Sequence, residues 1–405
     1  MVFIYNIAIH LYSLTVRLVS VYKNKAKLWI NGRKHQQISA LESSIWFHFA
    51  SLGEFEQGRP VLEAIRKQYP IQKIVVTFFS PSGYEPRKNT PLADAVYYLP
   101  LDTAANAQQF ISTIKPQMAI FTKYEYWYHF FNVLHQQHIP LYIISGIFRP
   151  GQVFFKWHGG LHRKMLKMVT WFFLQDAQSK QLLHDIGVTN VTISGDTRFD
   201  RVWANAQQTK HLPEIENFKA GQKLFIAGST WPDDEQLLAQ LIKQHPDWKF
   251  IIAPHEVGED KIKGLTALMP ENRTVLYSKL LTADHSQIAV LIIDNIGMLT
   301  SLYQYADIAY IGGGFGAGIH NTLEAAAFGM PVIFGPRYDK FKEARDLVEL
   351  KGGFSISTQE ELDPVAGNLM HNEQERRTSG NIAKDYVKNN VGATQAIMNY
   401  IEKRH

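Results

Sequence analysis

The stretch "YIGGGFGAGIHNTLEAAAFGMPVIFGP", residues 310–336, carries the clearest fold signal in the chain. An apolar strand is predicted to end at Ile311, and five glycines then lie between Gly312 and Gly318. A helix is predicted to open near His320, and a second strand follows at the apolar run "PVIF". Glycine lets the backbone approach a ligand closely, and the first turn of a helix has free N–H groups, so this segment is a candidate anion site.

Two polar residues follow these glycines on the predicted helix. Asn321 and Glu324 are three positions apart and share one helical face, where a carboxylate is suited to accept hydrogen bonds from ribose hydroxyls. Two other interpretations stay open. The segment could be a tight strand-to-helix turn alone, or a dinucleotide fingerprint with Ala317 in place of its last glycine. Such fingerprints normally open a domain, whereas this one lies late in its series of strands.

Short apolar runs alternate with helical patterns from Ile45 onward, which predicts parallel sheets covered by helices. The expected fold class is α/β, with two doubly wound, Rossmann-like domains and a cleft between them. A polar stretch from Ala204 to Gly221 is predicted to link the two domains. The predicted parts are an N-terminal segment (1–34), a first domain (35–205), a second domain (218–390) and a terminal helix (391–405) that could cross back to the first domain.

Composition limits the possible functions. The chain has 405 residues, of which 45% are apolar and 20% charged, as in soluble globular proteins. It contains no cysteine, which excludes disulfides and thiolate metal sites. His135 and His138 lack an acidic neighbour, and His255-Glu256 lacks a second histidine four residues later. We therefore expect no catalytic metal and no cofactor.

The N-terminal segment combines an apolar run with most of the excess positive charge. About twenty mostly apolar residues are interrupted by His10 and Arg17, and six cations precede the first acid, Glu42. Because the net charge is +5, the rest of the chain carries −1, which argues against a nucleic-acid partner. A helix lying on the membrane, with cations at anionic head groups, is the favoured interpretation. The alternative is a helix packed on the protein's own core.

Six segments together resemble the 3-deoxy-D-manno-octulosonic acid (Kdo) transferases of lipopolysaccharide synthesis. "FHFASLGEFEQGRPVL" is similar to their early Ser-Val-Gly-Glu turn, and residues 312–336 to their late Gly-Gly…Gly-His-Asn-x-Leu-Glu segment. The other four segments, in the family's order, are "FTKYEYW", "VTISGDTRFD", "AGSTWPDDEQLL" and "IIAPHEVGED". The chain departs from the family pattern at Tyr128, where proline is usual, and before His255, where arginine is usual. Arg337 or Lys340 is predicted to supply the missing charge.

The resemblance implies a GT-B glycosyltransferase that transfers Kdo from CMP-Kdo to a phosphorylated, acylated glucosamine disaccharide (lipid A precursor). It implies an inverting, metal-independent reaction at the cytoplasmic face of the inner membrane, and it indicates no protein partner. Glu54 matches the family's catalytic glutamate, and a carboxylate on a short turn after a strand is suited to take the acceptor's proton. The alternative is an acid that complements the dipole of a helix in its first turn.

The resemblance also implies which residues bind the two substrates. The predicted donor-binding residues are Arg198, Ser229, Thr230, His255, Gly312, Gly313, Gly318, His320, Asn321 and Glu324. The predicted acceptor-binding residues are Glu125, Arg149, Lys156 and Arg163, the last three lying among aromatics in an acid-free stretch. Each has a structural alternative: an ion pair of Glu125 with Lys123, an ion pair of Arg198 with a nearby aspartate, or a helix cap at residues 229–230. A UDP-sugar transferase, a non-catalytic nucleotide-sugar binder and a dinucleotide-dependent oxidoreductase remain as rival functions.

Overall fold

The computed structural model describes residues 1–283 and 287–404, and the chain divides into two compact units. The first unit comprises Met1–Arg201 together with Val391–His405, and the second comprises Val202–Asn390. Each unit contains one parallel sheet of seven strands with helices on its faces. The predicted α/β class with two Rossmann-like sheets is therefore confirmed.

The first sheet has the strand order β3-β2-β1-β4-β5-β6-β7. Its strands are β1 (Ser44–Phe49), β2 (Ile74–Phe78), β3 (Ala95–Tyr98), β4 (Pro116–Thr122), β5 (Leu141–Gly146), β6 (Trp171–Leu174) and β7 (Val191–Ile193). The helices of this part of the chain are α1 (Val2–Val19), α2 (Asn24–His35), α3 (Leu52–Gln68), α4 (Pro81–Arg87), α5 (Ala104–Ile114), α6 (Tyr128–Gln136), α7 (Gly160–Leu166), α8 (Ala177–Asp185) and α9 (Thr197–Gln207).

The second sheet has the order β10-β11-β9-β8-β12-β13-β14. Its strands are β8 (Leu224–Thr230), β9 (Lys249–Pro254), β10 (Thr274–Leu276), β11 (Val290–Ile292), β12 (Ile308–Ile311), β13 (Val332–Phe334) and β14 (Gly353–Ser355). The helices that follow α9 are α10 (Pro213–Lys219), α11 (Pro232–Gln244), α12 (Glu259–Leu268), α13 (Leu299–Leu302), α14 (Leu323–Ala327), α15 (Lys342–Glu349), α16 (Gln359–His371), α17 (Glu373–Asn389) and α18 (Ala393–Glu402).

The central strands read as continuous apolar runs because both of their faces are buried. On β1, Trp46 packs into the core on one side of the sheet, with Phe110, while Phe47 and Phe49 pack into the core on the other. The second of these cores also contains Ile397, Met398 and Ile401 of α18. The C-terminal helix thus belongs to the first unit although its sequence follows the second.

The predicted linker from Ala204 to Gly221 is mostly helical in the structure. It contains the end of α9 and the whole of α10. Two apolar residues of α10, Ile215 and Phe218, are fully buried, so the segment packs as part of the fold. Two buried apolar residues three positions apart anchor even a polar helix, and composition alone hides such an anchor.

Helix α1 packs against the first unit with one face only. The hydroxyl of Tyr5 donates to Asp102, Asn6 bonds His129, and Ile9 is buried. The opposite face is apolar and exposed, at Phe3, Ile4, Ile7, Leu11, Leu14 and Leu18. By length and hydropathy α1 could also cross a membrane: it has 18 residues and a mean hydropathy of 1.5. The helix thus contacts the core, as the alternative interpretation expected, and exposes an apolar stripe, while its position on a membrane stays a prediction.

Each sheet has one pair of neighbouring strands from which the chain continues towards opposite edges of the sheet. In the first sheet this switch point lies between β1 and β4, and in the second between β8 and β12. A crevice opens beyond the carboxyl ends of parallel strands at such a point, and ligands of doubly wound proteins bind there. The predicted site residues Glu54 and Glu125 follow the first pair of strands, and Thr230 and Gly312 lie at the ends of the second pair.

Candidate active site

Glu54 lies in the first turn of α3, directly after the first switch point. The predicted separate turn is wrong: Ser51 is already the N-cap, and the helix begins at Leu52. The hydroxyl of Ser51 donates to Glu54 Oε2 over 3.1 Å, which holds the carboxylate at the helix N-terminus. The position suits both interpretations of the sequence, because an acid there complements the helix dipole and also faces the crevice.

The pKa of Glu54 is raised from 4.5 to about 7. Burial is the largest cause, and the negative charge of Glu125 adds to it, while the Ser51 hydroxyl and the charge of Lys123 oppose it. A carboxyl group with a pKa near 7 can release and accept a proton at physiological pH, which is the property of an efficient general base. Two carboxyl groups and one lysine therefore share this crevice.

Glu125 is held by two side chains. Trp127 Nε1 donates to its Oε2 over 3.0 Å, and His48 Nε2 lies 3.3 Å from the same oxygen. On its other side, His48 Nδ1 is 2.8 Å from the hydroxyl of Thr77. That hydroxyl also accepts from Trp46 Nε1 and donates to the carbonyl oxygen of Phe47 over 3.3 Å, so His48 is tied to a buried hydrogen-bond network on one side and to Glu125 on the other.

Sequence reasoning missed His48, although one signal for it existed. It is a polar residue in the middle of the otherwise apolar, fully buried strand β1. A buried histidine needs partners for both ring nitrogens, and here one partner is a carboxylate at the crevice. The partners of Glu125 found in the structure are thus a tryptophan and a histidine.

Arg198 forms the ion pair that was the alternative to donor binding. Its Nε lies 2.8 Å from Asp196 Oδ2, and its main-chain N–H donates to the other oxygen of the same carboxylate. Gln57 also donates to Asp196. Burial alone would raise the pKa of Asp196, but the charges of Arg198 and Lys123 and these hydrogen bonds bring it below its usual value. The contact of Arg198 with a donor stays a prediction, and the residue itself lies in the first unit.

The three predicted acceptor cations have different surroundings. The charges of Arg149 and Glu54 both act on the pKa of Tyr124, which is raised mainly by burial, so Arg149 lies near the catalytic crevice. Arg163 instead donates to the carbonyl oxygens of Phe154 and Lys156, over 3.0 and 2.7 Å, and so fixes the loop after β5. Lys156, on the same loop, is exposed.

In the second unit, the glycines lie where backbones meet at the switch point. A Cβ atom on Gly312 would lie 2.3 Å from the carbonyl oxygen of Ser229 and 2.6 Å from Cα of Thr230, so only glycine fits. Gly313 and Gly318 adopt φ values of 92° and 135°, which other residues rarely take. The predicted close approach of backbone at this turn is therefore present.

Two carboxyl groups of α11 hold this turn. Asp234 accepts from the N–H groups of Gly313 and Trp231, each over 2.9 Å, and from the hydroxyl of Tyr310. The hydroxyl of Thr230 donates to Glu235 over 3.0 Å. The predicted helix cap by Thr230 is therefore wrong, because Asp234 caps α11 in its place. Ser229 has a φ of 56°, which marks a strained end of β8.

Three rings stack beside the glycine turn. The ring of His255 lies between those of Trp231 and His320, with centroids 4.8 and 4.4 Å away and planes within 24°. Trp231 Nε1 donates to His320 Nε2 over 3.1 Å. Burial and the neighbouring His255 lower the pKa of His320, which favours the neutral ring that this bond requires. The structure thus brings together two predicted donor residues from distant segments.

The helix after the glycines begins later than predicted. It runs only from Leu323 to Ala327, because the chain turns at residues 314–317 and is irregular over residues 318–321. Asn321 Oδ1 accepts from the first helical N–H, at Leu323, and the predicted anion site at this helix start stays a prediction. Glu324 accepts from the amide of Asn321 over 3.0 Å and from the hydroxyl of Thr300 over 2.8 Å.

A cation does lie at the glycine turn. Arg337 Nη1 donates to the carbonyl oxygen of Gly316 over 2.6 Å, and its main-chain N–H donates to that of Gly314. Its role as replacement for the missing arginine stays a prediction. Within residues 1–283 and 287–404, no group of three or more histidines and acids is arranged to hold a metal ion.

Comparison with known proteins adds the following findings. Residues 21–201 match the family described as 3-Deoxy-D-manno-octulosonic-acid transferase (kdotransferase). The chain is 26% identical over 372 residues to "3-deoxy-D-manno-octulosonic acid transferase" of Haemophilus influenzae, covering 88% of this chain and 86% of the relative. A transferase with the same description from Chlamydophila psittaci is 27% identical over 358 residues, covering 85% and 81%.

Solved structures agree on the fold. UDP-GlcNAc 2-epimerase from Neisseria meningitidis, bound to UDP-GlcNAc, superposes with a TM-score of 0.63 at 16% identity, covering 89% of this chain and all of that chain. MurG from Acinetobacter baumannii superposes with a TM-score of 0.54 at 13% identity, covering 89% and 99%. These likenesses confirm the GT-B fold class and, at such low identity, the fold alone.

Proposed function

We propose that the chain, whose residues 21–201 match the Kdo transferase family, transfers Kdo from CMP-Kdo to a phosphorylated, acylated glucosamine disaccharide of the lipid A precursor type. One observation carries the mechanism: the carboxyl group of Glu54, at the first switch point, has a pKa of about 7. A general base of this strength is what the attack of a sugar hydroxyl requires at physiological pH.

The proposed reaction is a single displacement. The acceptor hydroxyl oxygen attacks the anomeric carbon of Kdo, and its proton passes to the carboxylate of Glu54. The bond between that carbon and the phosphate oxygen breaks, and CMP leaves with the electron pair. Attack opposite the leaving group inverts the anomeric centre, through a state with oxocarbenium character. Glu125 keeps a second negative charge beside the base and so maintains its raised pKa.

We assign donor binding to the second unit. The backbone at Gly312 packs directly against the end of β8, and we place the donor phosphate beside this turn. The stacked rings of His255 and His320 form a flat wall beside it. Glu324, oriented by Asn321, retains free lone pairs for ribose hydroxyls.

We assign acceptor binding to the first unit, next to the apolar N-terminal helix. An aromatic series runs from Tyr12 of α1 through Trp29 of α2 and Phe79 to Trp127, with centroid distances of 5.8, 5.9 and 4.9 Å. Trp127 donates to Glu125. The crevice is therefore connected by packed rings to the helix whose outer face is apolar, as a lipid-linked acceptor at the cytoplasmic face of the inner membrane requires.

The test is release of CMP from CMP-Kdo by full-length protein in detergent, with and without a tetraacylated, phosphorylated glucosamine disaccharide. We expect release that depends on the acceptor and that Glu54→Gln abolishes. Glu56→Gln is the matched control, because Glu56 lies on the same helix but pairs with Arg87. Release that Glu54→Gln retains would remove this residue as the base.

A UDP-sugar donor is the rival reading, because the structurally similar epimerase is bound to UDP-GlcNAc. Thermal denaturation with CMP, CMP-Kdo, UDP and UDP-GlcNAc separates the two. Stabilisation by cytidine nucleotides alone supports the proposal. Stabilisation by uridine nucleotides alone would overturn the donor assignment and leave the fold assignment intact.

A further inference from the structure

A second large cavity of the first unit lies away from Glu54, between α1, α2 and α5. It has a volume of about 770 Å³. A neighbouring cavity of about 330 Å³ shares Ser13, Arg17 and Asn106 with it, so the two form one continuous groove along α1. We call this groove the α1–α5 cavity. No role in the proposed transfer has been assigned to it.

The lining of the α1–α5 cavity is cationic and contains no carboxylate. Arg33 is committed to the fold, since it donates to the carbonyl oxygens of Leu99, Phe79 and Trp29. The side chains of four other lining residues have no hydrogen-bond or ion-pair partner in the part of the chain that the structure describes. They are Ser13, Arg17, Lys34 and Gln109.

This set of groups is matched to a phosphate ester. Two unpaired cations can neutralise the charge of a phosphate oxygen, and a guanidinium can bind two such oxygens at once. Ser13 is 9% exposed, and its hydroxyl at the cavity wall can bond a ligand there. The Gln109 amide adds a donor and an acceptor for neighbouring hydroxyls.

The surroundings of the cavity are those of a lipid rather than of a soluble anion. Arg17 follows Ser13 by one helical turn on α1 and lies beside the exposed apolar stripe that includes Leu11, Leu14 and Leu18. Leu14 itself lines the smaller part of the groove. A ligand that places an anionic group at Arg17 therefore has its apolar portion next to an apolar helix face.

We propose that the α1–α5 cavity binds the phosphodiester headgroup of an anionic phospholipid, with the acyl chains along the exposed face of α1. Such a site fixes the depth and orientation of α1 at a membrane surface through one specific lipid, in addition to general attraction between cations and an anionic bilayer. The proposal does not depend on the transferase reaction, because the polar groups that would hold the headgroup have no part in that reaction.

The test uses monomeric short-chain lipid, so that no charged bilayer surface is present. Binding of dihexanoyl phosphatidylglycerol to full-length protein, below its micelle concentration, is measured by calorimetry. We expect saturable binding, and at least about tenfold weaker binding for Arg17→Gln/Lys34→Gln, because the variant loses two charged hydrogen bonds to the headgroup. Lys25→Gln/Lys27→Gln is the matched control, since it removes the same charge from α2 residues that do not line the cavity.

A second pair of variants tests the same point by adding charge. Gln109→Glu places a carboxylate at the cavity, whereas Gln108→Glu places one on the exposed surface of the same helix. We expect only the first to abolish binding, with equal melting temperatures for both. If Gln108→Glu weakened lipid binding as much as Gln109→Glu, the attraction would be unspecific and the proposal would be overturned. The same holds if Lys25→Gln/Lys27→Gln weakened it as much as Arg17→Gln/Lys34→Gln. Inorganic phosphate binding as tightly as the lipid would overturn it too.

Discussion

The two switch points of the molecule have the same topology and opposite chemistry. At β1 and β4 the strand ends carry ionisable side chains, with Glu54, Glu125 and Lys123 acting on one another's charge. At β8 and β12 the corresponding positions carry glycines, a buried threonine and stacked rings. The carboxylates behind that second turn are used internally, since Asp234 accepts three hydrogen bonds from the turn and its neighbours.

The first crevice is therefore suited to proton transfer, and the second is suited to binding a ligand by its shape. In the first crevice, burial and the like charge of Glu125 raise the pKa of Glu54, which costs stability. In the second crevice burial also raises the pKa of Asp234 and of Glu235, but hydrogen bonds from the turn oppose it, and the turn itself is shaped by its backbone. Variants in the first crevice should therefore change rate and pH dependence, and variants in the second should change donor affinity at constant pH dependence.

Glu54→Gln should have the largest effect. We expect the rate of CMP release at saturating substrates to fall by about 10²- to 10⁴-fold, because the amide cannot accept the proton. Donor affinity should stay unchanged, since the donor residues are assigned to the other unit. A loss of donor affinity equal to the loss of rate would contradict the division between the two crevices.

The same variant should also be more stable than the wild type above neutral pH. Folding raises the pKa of Glu54 from 4.5 to about 7, so the ionised carboxylate is disfavoured in the folded state. This destabilisation is absent below pH 4.5 and complete above about pH 7. The melting temperature of Glu54→Gln should thus exceed that of the wild type at pH 8, and the difference should shrink towards pH 5. A difference that is constant with pH would contradict the raised pKa.

His320→Ala should weaken donor binding about tenfold. The change removes a ring from the stack and leaves Trp231 Nε1 without its acceptor. The KM for CMP-Kdo should rise, while the pH dependence of kcat/KM keeps its limb near pH 7. His371→Ala is the control, because it removes an exposed histidine that bonds only its own helix. If the limb moved in His320→Ala, the ionisation that causes it would depend on the second crevice, which would contradict its assignment to Glu54.

Glu125→Gln should change the pH profile more than the maximal rate. Its negative charge raises the pKa of Glu54, so neutralising it lowers that pKa and moves the limb of kcat/KM to lower pH. The ratio of activity at pH 6 to activity at pH 8 should therefore be higher in Glu125→Gln than in the wild type. Glu42→Gln, which neutralises a fully exposed acid before β1, should leave the limb in place. If the limb stayed in place in Glu125→Gln, the charge of Glu125 would have no effect on the pKa of Glu54, and the prediction would be wrong.

The sequence was sufficient for the strands and for the chemistry of the first crevice. Runs such as "IWFHFA" and "KIVVTFF" became buried parallel strands because apolar residues without alternation fit only a sheet covered on both faces. Glu54 follows such a run directly, but its assignment as the base rested mainly on the resemblance to the Kdo transferases. Long apolar runs are local signals, and a local signal can be recognised in a single sequence.

What the sequence could not predict are contacts between distant segments. The start of α14 was placed too early, because glycines and His320 allow a helix locally while the cap by Asn321 sets its real beginning. Asp234 was missed because its three donors come from residues 231, 310 and 313. The bond of His48 to Glu125 joins residues 77 positions apart. Such partners follow from topology, and no pattern along the chain contains them.

The smallest effects should separate the cations of the first unit from one another. Lys156→Gln should raise the KM for the acceptor about two- to threefold, because an exposed lysine offers a phosphate only a screened charge. The effect should disappear at high salt, and the melting temperature should not change. Arg163→Gln should do the reverse: it removes hydrogen bonds to two carbonyl oxygens of the loop, at a cost of about 1–3 kcal/mol, and so lowers the melting temperature. If both variants changed the acceptor KM equally at constant stability, Arg163 would contact the acceptor directly, and the sequence-based assignment of both cations to the acceptor would stand.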